Sequence, residues 1–69
     1  MDKSHKKLKT RAEARHEIRR RGLTIKEWSK QNSLNSKIVF EVLGGRKKGL
    51  WGEAHKAAVL LGIKDGVIE

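Results

Sequence analysis

The chain has 69 residues, 36% of them apolar, which allows one small hydrophobic core and a folding balance near zero unless the helices pack well. The absence of cysteine excludes disulfide staples and a cysteine zinc site, and no apolar run approaches the roughly 18 to 20 residues a membrane span requires. A net charge of +9, with nine cations against three anions in residues 1–21, points to a polyanionic partner, although solubility alone also tolerates it.

Residues 1–9 hold Lys3, Lys6, Lys7 and Lys9 with only Leu8 to bury, so a disordered basic arm is expected there. It serves either as a DNA-contacting arm or as a solubilising tail. It also lacks the apolar segment of a secretory signal, which gives a bacterial cytoplasmic or nucleoid location as the expectation. The folded domain is expected over residues 10–66, with 67–69 as a tail that frays or joins a second copy.

Thr10 and Glu13 have the spacing of a capping box, Ala14 and Ile18 lie four apart, and Gly22 supplies a stop, which predicts a first helix over residues 10–21. Arg19, Arg20 and Arg21 fall at its negative end, where they stabilise the helix dipole or reach phosphates; both readings stand.

Thr24 and Glu27 repeat the capping box and open a second helix of about two turns, with Ile25 and Trp28 on one face. Asn32, Ser33, Asn35 and Ser36 crowd around Leu34 and compete for backbone hydrogen bonds, so this helix ends there. Asn35 or Ser36 caps a third helix whose apolar positions are Ile38, Val39, Val42 and Leu43, ended by Gly44 and Gly45. Two helices across a turn of about three residues are the ingredients of a helix-turn-helix.

Arg46, Lys47 and Lys48 follow, bracketed by glycines that free them to reach outward. Glu53 to Leu61 reads as the last helix, with Ala54, Ala57, Ala58 and Leu61 on one face and Gly62 as its stop. Trp28 is assigned to the core, and Trp51 likewise to packing.

The stretch from Gly22 to Gly66 resembles the small phage-associated DNA-binding protein family of BcepMu-type transposable phages, close to Ner-like and lambda-repressor-like helix-turn-helix regulators. Trp28, Ser29, Asn32, Ser33, Leu34, Val42 and Leu43 carry the helix-turn-helix part. Gly45, Arg46, Lys47, Lys48 and Gly49 match the family's basic loop, and Gly52, Ala54, His55, Ala58, Leu61 and Gly62 its last helix. The resemblance implies an all-α, compact bundle of four or five short helices and a DNA-binding regulatory role in phage or prophage genes. The sequence departs from the motif in two places: Ser29 stands where alanine is common, and Ser33 where a left-handed glycine is common.

His5, His16 and His55 are scattered without metal or catalytic spacing, so no enzyme activity, no metal and no cofactor are expected. His55 is left with two readings, a partly buried side chain or a phosphate donor. The expected function is sequence-selective binding of double-stranded DNA for transcriptional control, with the helix of about 36–43 in the major groove. Asn35, Ser36, Lys37, Phe40 and Glu41 are the expected base contacts, Phe40 having core packing as its alternative. Thr24, Lys26, Arg46, Lys47 and Lys48 are the expected phosphate contacts. The partner is DNA, with homodimerisation on it left open and no membrane or small-molecule substrate expected. An RNA-binding module and a protein-interaction module of antitoxin or adaptor type are the alternatives.

Overall fold

A computed structural model describes residues 8–66, so most of the expected arm and the tail 67–69 lie outside the described residues. It is all-α: α1 (Arg11–Arg20), α2 (Ile25–Gln31), α3 (Ser36–Leu43) and α4 (Gly52–Leu61), with no strand among the described residues. None of these helices is long and apolar enough to cross a membrane.

Both expected capping boxes form. Thr10 N–H donates to the Glu13 carboxylate at 2.8 Å and Glu13 N–H to the Thr10 hydroxyl at 3.0 Å; the Thr24 and Glu27 pair repeats this at 2.9 and 3.0 Å. Two orphan donors are satisfied at the head of each helix, which fixes where α1 and α2 start. Gly22, at φ +77°, turns the chain out of α1.

Between α2 and α3 the chain turns at Ser33, whose φ of 57° is left-handed and costs a non-glycine residue roughly 1 to 2 kcal/mol. The turn is closed by Leu34 N–H donating to the Ser29 carbonyl at 2.8 Å, and it delivers Leu34 into the core. Ser29 is fully buried, with its hydroxyl donating to the Ile25 carbonyl at 2.7 Å. That bond satisfies the one polar atom that alanine would lack, so serine is tolerated here.

Helix α3 is central and packs against α1, α2 and α4. Val39, Val42 and Leu43 are its fully buried residues, and each such side chain contributes about 1.5 to 3 kcal/mol on burial. Ala14 and Ile18 from α1, Trp28 from α2, and Ala57, Ala58 and Leu61 from α4 complete the core. The backbone of Gly49 lies on α4: a Cβ there would stand 2.9 Å from the Ala58 Cβ and 3.0 Å from the Ala54 carbonyl oxygen. This glycine serves close packing as well as its φ of +72°, whereas the sequence reading gave it only flexibility.

Two further expectations are corrected. Lys9, assigned to a free arm, is tied to the end of α4 by its backbone N–H, which donates to the Gly62 carbonyl at 2.8 Å. Trp51, assigned to packing, is 78% exposed, because it immediately precedes Gly52 as the N-cap of α4 and sits beside exposed Leu50.

Candidate nucleic-acid interface

The residues expected at base edges sit on or next to the face of α3 that the core leaves free. Lys37 and Phe40 are exposed, Ser36 and Glu41 half-buried, and all four line one open depression with Gly44 and Arg46. Phe40 is 52% exposed, which sets aside its core alternative.

Asn35 is the N-cap of α3: its side-chain carbonyl accepts the Lys37 N–H at 2.9 Å, and its own N–H donates to the Glu53 carboxylate. The cap commits the carbonyl half of the amide to the helix, so a two-pronged pairing with adenine competes with capping. Glu41 is engaged too. Its carboxylate lies 3.8 Å from the Lys47 ammonium, and its carbonyl accepts the N–H groups of Arg46 and Lys47. The loop after α3 is therefore folded back on the helix.

The structure divides the cation triplet. Arg46 borders the α3 depression, whereas Lys47 and Lys48 line a second concavity with Lys9, Arg11 and Lys64. At the head of α2, Lys26 is exposed, but the Thr24 N–H is taken by the Glu27 carboxylate. That carboxylate already occupies the positive end of the helix dipole, so Thr24 retains only its hydroxyl proton for a phosphate.

Arg15 was not singled out in the sequence. Its guanidinium donates to the Leu43 carbonyl at 3.2 Å, satisfying an orphan acceptor at the C-terminal end of α3. Arg11, one turn earlier, lies against Gly45, where a Cβ would be 3.5 Å from the guanidinium carbon. The signal was present: Arg11 and Arg15 are four apart and flank the Ala14 and Ile18 stripe at helical spacing, which puts both at the rim of the buried face.

His55 is half-buried against Gly66, where a Cβ would fall 2.9 Å from its Cε1, which fits the packed reading. Among the described residues no group of three or more metal-ligating side chains converges. No family model, no curated protein and no solved structure matches the chain.

Proposed function

We propose that the protein binds double-stranded DNA sequence-selectively as a helix-turn-helix regulator, with α2 and its turn supporting α3 in the major groove. The observation that carries the reading is the shared surface of Ser36, Lys37, Phe40, Glu41 and Arg46 on a chain of net charge +9. Lys37 donates to guanine, Phe40 lies against a thymine methyl, and Glu41 accepts from cytosine once released from Lys47. Asn35 contributes its amide donors while holding the cap. Lys26, Arg46, Lys47 and Lys48 neutralise phosphates, with the Thr24 hydroxyl beside them.

The resemblance to phage regulators extends this reading to control of phage or prophage genes in the bacterial cytoplasm, with a second copy of the chain on the same DNA. Selection from a random duplex pool followed by footprinting on the enriched sites tests it. Enrichment of one motif that is protected in the footprint supports it, and a pool that stays random removes sequence-selective binding.

Exposed Trp51 and Phe40 favour a second reading, because unpaired bases stack on exposed aromatics. Competition between a duplex and a single-stranded RNA of equal length separates the two. Displacement of duplex by the RNA at equal concentration selects the RNA reading.

A further inference from the structure

Beyond the α3 surface, the head of α1, the loop after α3 and the turn after α4 enclose a half-open concavity of about 530 Å³. Among the described residues five cations line it: Lys9, Arg11, Lys47, Lys48 and Lys64. They come from three separate parts of the chain, so their convergence is a product of the fold. Among the described residues no carboxylate lines the wall. Two of its lining residues engage carboxylates from outside that lining: Lys47 pairs with Glu41, and the Thr10 N–H donates to Glu13.

Three of the cations lie against the backbone of the fold. Lys9 lies over Gly62, where a Cβ would meet its Cδ at 3.4 Å, and the Arg11 guanidinium rests on Gly45. Lys64 donates to the Gly49 carbonyl, which keeps its ammonium at the loop. Val42, Ala58 and Ile63 form its apolar floor. A single small anion leaves most of this charge unmatched, and the volume falls within the roughly 300 to 1,000 Å³ of small-ligand sites.

We propose that this concavity binds a chain of successive phosphates, with Arg11 gripping one phosphate by its planar fork and Lys9, Lys47 and Lys48 neutralising its neighbours. Two sources carry that chemistry: a sugar-phosphate backbone and a soluble polyphosphate. The site does not depend on α3 reading DNA.

The test is an amide NMR titration of the full chain with sodium tripolyphosphate at fixed ionic strength, repeated on Arg11→Gln, Lys48→Gln and Lys30→Gln. Lys30 is exposed on α2 and lies outside the concavity, so its variant controls for the loss of one charge. Saturable shifts at residues 9–11, 47–49 and 64 are expected, and Arg11→Gln or Lys48→Gln weakens binding about tenfold or more, the scale of one charge-assisted hydrogen bond. Lys30→Gln leaves affinity within about twofold, as screening of a remote surface charge requires.

Shifts spread over the whole surface, or an equal loss in Lys30→Gln, overturn the proposal. A duplex added to the saturated complex identifies the source: displacement of tripolyphosphate means a nucleic-acid backbone occupies the site, and simultaneous binding means a soluble chain does. Duplex binding that is lost in Lys37→Ala but accompanied by no tripolyphosphate shifts overturns the site and leaves the DNA reading intact. Tripolyphosphate shifts without any duplex binding do the reverse.

Discussion

The backbone N–H of Asn35 donates to the carboxylate of Glu53, so the residue that caps α3 is tied to the first turn of α4. The start of α3 is thus held from both sides, by its own cap and by a neighbouring helix. Asn35→Asp keeps an equivalent capping oxygen but replaces the amide donors with a charge facing phosphates. Duplex affinity is expected to fall, and repulsion from the adjacent Glu53 carboxylate to lower thermal stability somewhat; Asn35→Ala is expected to lose about 1 kcal/mol of stability. If Asn35→Asp binds the preferred duplex as the parent does, Asn35 only caps.

The two tryptophans are expected to part company. Trp28 is buried in the core, and Trp28→Ala should cost about 3 to 5 kcal/mol, enough to unfold most of a domain of this size. Trp51 is exposed, so Trp51→Ala should melt within about 0.5 kcal/mol of the parent. Chemical denaturation of both variants checks this, and a parent-like Trp28→Ala would mean that the core is held elsewhere.

Signals that act over three or four residues were legible in the sequence: both capping boxes, the spacing of Val39, Val42 and Leu43, and the alanine face of α4. Ser33 shows the limit of that reading. A glycine-favouring position was identifiable from the motif, but only the fold shows that serine adopts the left-handed conformation there. The exposure of Trp51 was not legible, because a large apolar residue beside a helix start reads as core until the direction of the preceding loop is known. The same holds for the convergence of Lys9, Arg11 and Lys64 on the loop, which rests on contacts between residues far apart in sequence.

At the other end of α1, Glu17 accepts from Arg20 at 3.2 Å and from Arg21 at 3.3 Å. The Arg20 hydrogen bond, then that of Arg21, hold its carboxyl below the ordinary value. The unfolded chain therefore binds a proton more readily than the native one, and stability rises with pH across this window. The contribution is full above the ordinary carboxylate range and lost as pH falls through the lowered value. Glu17→Gln is expected to melt slightly below the parent near neutrality, by no more than a small surface effect, and to converge with it at acid pH, which flattens the acid side of the melting-temperature profile. A parallel profile would mean that the pair contributes nothing.

If about five cations neutralise phosphates, log affinity for duplex DNA should fall with log salt at a slope of roughly −4 to −5. Anisotropy titrations across a salt series measure this directly. A slope near zero removes electrostatic DNA binding from the account.

Lys37 lies on the exposed face of α3, whereas Arg46 and Lys47 belong to the loop after it, so the helix residue and the loop residues should respond differently to removal. Lys37→Ala is expected to lose about 1 to 3 kcal/mol on the preferred duplex and little on a random one, because a base-edge contact is made only with the right base. Arg46→Ala and Lys47→Ala are expected to weaken both duplexes alike and to make the salt slope shallower by about one each. If Arg46 or Lys47 instead sets sequence preference while Lys37 acts uniformly, then the loop reads the groove and α3 only packs.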